Sequence, residues 1–145
     1  MARAGWFSPA ALVLVIVGGA VGVAARALLV VPLTVGSAVH PLAVPAVTLG
    51  INLVGSLLLG VIIGWLDDRH PLGRLFLGTG VMGGFTTYSA FAVQSVTTAS
   101  ASPFVGLALV AVSLFGGALA AAAGLAVGRR IVDRPGEVES PEDAE

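Results

Sequence analysis

Cysteine and lysine are both absent from these 145 residues. Without cysteine there is no disulfide frame, no thiolate metal site and no cysteine nucleophile. Charge of either sign is scarce, at 10% of residues, where an ordinary soluble domain carries about a quarter. None of it falls between Leu75 and Gly128. Every Asp and Glu lies at Asp67-Asp68 or from Asp133 onward, so no apolar segment holds a carboxylate for proton coupling or for an organic cation. With a net charge of −1, nucleic acid is excluded as a natural partner. His40 and His70 each stand beside a proline in an apparent loop, and no cluster of ligands surrounds them. They read as solvated loop residues.

What is present is apolar: 57% hydrophobic residues, with 20 glycines among the rest. A helix needs roughly 20 apolar residues to cross a bilayer. On that measure the chain predicts four spans in an all-α membrane protein, at 10–31, 45–66, 75–98 and 103–128. An N-terminal segment, 1–9, carries an interfacial Trp6-Phe7 pair and ends at Pro9. The proline-rich stretch 31–45 is a connector, and Pro45 suits the first turn of the second span. Asp67 to Arg74 is charged and must leave the membrane. Ala99 to Pro103, "ASASP", supplies the turn between spans three and four. The tail 129–145 is acidic, lacks aromatics and reads as disordered. A secretory signal is a rival for the first span, with Arg3 ahead of the apolar run and Ala25-Arg26-Ala27 as its cleavage site. The run is longer than a signal's apolar core, and an arginine before Ala27 is out of character there.

Glycines recur four apart, at Gly18/Gly22, Gly60/Gly64, Gly80/Gly84 and Gly124/Gly128. In lipid, where apolar side chains gain nothing by leaving the solvent, close backbone approach holds helices together. Four short helices bury little alone, so an oligomer is expected. Along the second span Thr48, Asn52, Ser56, Gly60 and Gly64 form a slow spiral of small and polar groups. The Asn52 amide must be satisfied away from lipid, either by an interhelical hydrogen bond or as a donor on a polar pathway. Spacing leaves both open. Arg26 divides likewise between snorkelling to the interface and attracting an anion.

The third span is interrupted by "GGFTTYSAF", Gly83 to Phe91. Two glycines loosen a helix here, and Thr86-Thr87 can supply hydroxyls to the freed backbone. Broken backbone at membrane depth survives only where protein or a water-filled cavity covers it, and its carbonyls can coordinate a cation. Phe85, Tyr88 and Phe91 follow at a spacing of three. Such a ladder is either packing or a row of positive ring edges that could attract a small anion.

The residues then become recognisable. "GGAVGVAARALL" (18–29), "TLGINLVGSLLLG" (48–60) and "GTGVMGGFTTYSAF" (78–91) resemble, in order and spacing, the first-, second- and third-span signatures of the CrcB/Fluc fluoride channels. The resemblance implies an antiparallel dimer with two fluoride pores. It implies Asn52, Tyr88, Phe91, Thr87 and Ser113 on the fluoride pathway. Gly83 and Thr86 would offer backbone carbonyls to a structural Na⁺ at the dimer interface. The implied activity is passive export of F⁻ through the cell membrane, with a proton-coupled fluoride transporter and a non-conducting structural subunit as alternatives. Three departures stand out: Tyr88 for the usual Phe, Ala90 for Thr and Gln94 for Glu.

An even number of spans puts both termini and the 67–74 loop on one side. That side carries Arg3, Arg69, Arg74, Arg129, Arg130 and Arg134, and the other at most Arg26. The positive-inside rule then predicts cytoplasmic termini. A chain so biased does not suit insertion in both directions, so an antiparallel dimer calls for a related subunit of opposite orientation.

Overall fold

A computed structural model of the chain describes residues 8–34, 42–66 and 69–132. The Trp6-Phe7 pair, His40, the Asp67-Asp68 acids and the tail from Asp133 lie outside these residues. Everything described is helix or short turn, with no strand among the described residues. Helix α1 is Pro9–Thr34 and α2 is Ala43–Leu66. Helix α3 covers 71–85, α4 is Tyr88–Ala101, and α5 is Pro103–Val132. The chain is an all-α membrane protein whose third span is broken.

Three helices, α1, α2 and α5, are individually long and apolar enough to cross a bilayer. The third crossing is shared by α3 and α4, which Thr86 and Thr87 separate. Pro71 sits in the first turn of α3, where its missing N–H costs nothing. The third span therefore starts inside the segment that charge alone assigns to a loop, and Arg74 is helical. At the other end α5 runs on to Val132, with Arg129 and Arg130 in its last turn. Two stretches, Leu75–Met82 in α3 and Val112–Gly116 in α5, are wound wider than an α-helix, the π geometry that often marks functional positions.

The glycine pairs meet one another. Gly18 and Gly22 of α1 lie against the backbone of α3 at Gly80 and Gly84. Gly60 and Gly64 of α2 lie against α5, whose Gly124 and Gly128 face back onto the α2 backbone. A Cβ at Gly80 would stand 3.0 Å from the Gly18 Cα, so any side chain would wedge the helices apart. Helix α1 continues through the Ala25-Arg26-Ala27 segment to Thr34, and its glycines make it a wall of the bundle.

The side-chain core is small. Ile51, Leu66 and Met82 are the buried apolar residues among those described. Only 11%, 22% and 6% of the apolar windows of α1, α2 and α5 are buried, which leaves most of their surface for lipid or for another chain.

Candidate functional site

The break lies at the two threonines, not at the glycines. Gly83–Phe85 keep helical backbone, whereas Thr86 (φ −78°, ψ 160°) and Thr87 (φ −146°, ψ 116°) are extended. In lipid a loosened helix gains no hydrogen bonds from water, so a glycine pair alone does not open one. Gly84 instead admits the α1 backbone at Gly19, while Gly83 faces open space.

What opens the helix is a partner 35 residues away. The Thr87 N–H donates to Asn52 Oδ1 at 2.9 Å, and Asn52 Nδ2 donates to the Thr87 carbonyl at 3.1 Å. A peptide N–H can only donate, so the atom facing it must be the amide oxygen, which fixes the Asn52 amide orientation. Asn52 thus imitates a neighbouring peptide and satisfies both backbone groups of one residue in the break. The interhelical bond left open by the sequence is made; Nδ2 keeps a second hydrogen with no partner among the described residues.

Side chains complete the cap. Thr87 Oγ1 accepts from the Ala90 N–H at 3.2 Å and lies 3.2 Å from Ser89 Oγ, an N-cap that starts α4. Thr86 Oγ1 donates to the Met82 carbonyl at 2.9 Å, joining the Thr86 N–H on the same acceptor at 3.0 Å. The carbonyls of Gly83 and Thr86 are among those that lose their ordinary donors at the break. In a continuous helix Gly83 would receive the Thr87 N–H and Thr86 the Ala90 N–H, but Asn52 and the Thr87 hydroxyl take them.

These groups line a groove of about 500 Å³ between α2, α3, α4 and α5. Asn52, Gly83, Thr86, Thr87, Tyr88, Phe91 and Ser113 all reach it. Ser56 and Thr79 reach it too. Neither was among the expected pathway residues, although Ser56 stands on the polar spiral of α2. Ser113 Oγ, in the wide-wound part of α5, is buried and unpartnered among the described residues. The aromatic ladder is only partly assembled. Tyr88 and Phe91 pair with centroids 6.0 Å apart at 52°. Phe85 precedes the break and its ring edge turns to the Gly55 side of α2, because the extended threonines interrupt the helical period.

Arg26 is not at the end of its helix. Eight residues follow it in α1, about 12 Å of rise. It borders a second cavity of about 220 Å³ with Thr48, Thr87 and Gln94. There Gln94 Nε2 donates to Thr48 Oγ1 at 3.0 Å. No Asp or Glu occurs among the described residues, so nothing there neutralises the guanidinium. Thr87 borders both cavities.

Comparison with known proteins agrees with this architecture. Residues 13–125 match the family described as CrcB-like protein, Camphor Resistance (CrcB). A protein of Leifsonia xyli named Fluoride-specific ion channel FluC 2 is 43% identical over 132 residues, covering 86% of this chain and 88% of its own. One of Bacillus subtilis with the same name is 40% identical over 119 residues, covering 81% and 86%. A third, from Thermobifida fusca and also named FluC 2, is 39% identical over 128 residues, covering 85% and 91%.

Proposed function

The chain belongs to the CrcB family, and on that premise we infer that it is a fluoride-specific channel that lets F⁻ leave the cytoplasm passively. The carrying observation is a break inside the third span, held open by an amide and bordered by hydroxyls and the rings of Tyr88 and Phe91. Fluoride holds its water tightly, so a narrow path must replace that water with hydrogen-bond donors. The free Nδ2 hydrogen of Asn52 and the hydroxyls of Thr87 and Ser113 are the donors we assign to it, with the edges of Tyr88 and Phe91 beside them. Arg26 draws the anion toward Thr87 from the second cavity. HF that enters from an acidic exterior ionises in a near-neutral cytoplasm. The membrane potential then drives F⁻ outward with about 2.3 kcal/mol per charge per 100 mV. Coupling to protons finds no carboxylate among the described residues.

A groove open along its side cannot by itself conduct an ion past lipid. Tyr88 at its rim is 81% exposed, and we assign the closing of the groove to a second subunit in an antiparallel dimer. The donor-deprived carbonyls of Gly83 and Thr86 fit a structural Na⁺. Two carbonyls are an incomplete shell, and the partner would add its own. When bound, the ion would tie the two breaks together, with the Gly83 and Thr86 carbonyls as this chain's share of its ligands. The arginine bias favours cytoplasmic termini and a related partner inserted the other way. The test is fluoride efflux from liposomes holding the purified protein, alone and with a co-expressed related subunit. Efflux with neither preparation would overturn the reading.

A further inference from the structure

Helix α2 meets the break at two residues, and only Asn52 does so through hydrogen bonds. One turn beyond Asn52, the buried Gly55 lies beneath the methyl group of Thr86. A Cβ built at Gly55 would overlap Thr86 Cγ2 far inside van der Waals contact and would stand 3.4 Å from Phe85 Cδ1. The methyl cannot swing away cheaply. Its partner on Cβ, Oγ1, is tied to the Met82 carbonyl at 2.9 Å, and a β-branched side chain has few χ1 choices.

The peptide joining Thr86 to Thr87 is therefore fixed at both ends. Its N–H points to Asn52 on α2. In a trans peptide the carbonyl points opposite to the N–H, so the Thr86 carbonyl is directed away from α2. Rotation about the Thr86 Cα is then set by where the side chain rests.

We propose that Gly55 is a positioning residue: the space left by its missing side chain seats the Thr86 methyl, and this fit aims the Thr86 carbonyl at the cation. The proposal rests on the Na⁺ reading of that carbonyl for its function, but the fit itself does not. Alanine at 55 should push Thr86 off its seat. Serine at 86 should undo the damage, because it keeps the hydroxyl that binds Met82 and removes only the methyl. In the double variant the alanine Cβ takes the volume the methyl leaves, a swap of the kind packed sites tolerate best.

The experiment compares the wild type, Gly55→Ala, Thr86→Ser and the double variant in two assays. One is fluoride efflux from liposomes; the other is the Na⁺ concentration that gives half-maximal thermal stabilisation of the detergent-solubilised protein. Gly55→Ala should raise that concentration by about 10–100-fold, the usual effect of disturbing groups that orient metal ligands. The double variant should return to within about twofold of Thr86→Ser alone, the scatter expected when no clash remains. A Gly55→Ala protein equal to the wild type in both assays overturns the proposal. So does a double variant as impaired as Gly55→Ala, which would place the role of Gly55 at another contact. Should Gly55→Ala fail to accumulate, recovery of folded protein in the double variant supports the seat, and no recovery overturns it. If efflux is lost and rescued as expected while even the wild type ignores Na⁺, the seat stands and the cation reading falls.

Discussion

Replacing Asn52 by leucine keeps the approximate shape of the side chain and removes both hydrogen bonds to Thr87. The partner is backbone, so it cannot be replaced along with the amide, and its N–H and carbonyl are stranded. At the low end, two interhelical bonds at about 0.6 kcal/mol each give roughly 1.2 kcal/mol. At the high end, two unsatisfied groups at about 1–3 kcal/mol each give roughly 2–6 kcal/mol. Asn52 is only half-buried and borders an open groove, so water can reach the stranded groups and the loss should be about 1–3 kcal/mol. The loss is local, and hydrogen exchange reads it where it occurs. Because a tenfold change is about 1.4 kcal/mol, protection of the Thr87 amide should fall by about 5- to 150-fold, reported by peptides covering 82–91. Peptides from the first half of α1 should exchange as before. Fluoride efflux should be lost as well, since the proposed pathway takes a donor from the same residue. Unchanged exchange at 82–91 would refute the claim that Asn52 holds the break. Normal efflux beside faster exchange would refute only its role toward fluoride.

Gly83 has no neighbour within 4 Å of a Cβ, so Gly83→Val should fold and insert but fail to pair; cross-linking that still captures a dimer would place the interface elsewhere. Gly124→Leu should prevent folding, because its Cβ would strike the Leu57 carbonyl and stand 3.0 Å from the Val61 nitrogen; near-normal yield of folded protein is the contrary result. A reporter at the C-terminus should be cytoplasmic in nearly every molecule, and equal populations on both sides with efflux from the chain alone would identify a dual-topology homodimer. Tyr88→Phe should raise efflux by removing a hydroxyl from the ring row, and lower efflux would make that hydroxyl part of the pathway.

The helix-to-helix contacts were readable because glycines at a spacing of four leave a direct mark in the sequence. All four pairs occupy backbone contacts, Gly18/Gly22 with Gly80/Gly84 and Gly60/Gly64 with Gly124/Gly128. That the third span breaks was readable too, from hydroxyls placed in an apolar run. Where it breaks was not. Local propensity points to Gly83-Gly84, but the decision belongs to Asn52, whose amide offers Thr87 a better partner than its own helix does. A preference computed along the chain cannot see a bond between residues 35 positions apart. The same displacement of the break removed Phe85 from the ladder that its spacing suggested. The wide winding of Leu75–Met82 and Val112–Gly116 left no signal in composition.

The glycine-on-glycine seams also bear on how the gene can change. All glycine codons begin with two guanines, and every amino-acid replacement reached from them by one base change installs at least a Cβ. At the eight glycines of the α1–α3 and α2–α5 seams that group meets neighbouring backbone, which has no rotamer with which to yield. The exposed residues allow the opposite. Leu28, Phe104 and Leu119 are 78%, 88% and 71% exposed, and wherever lipid covers such a residue one apolar side chain serves as well as another. Mutational load in this gene should therefore gather at its smallest residues, and the bulky ones should drift.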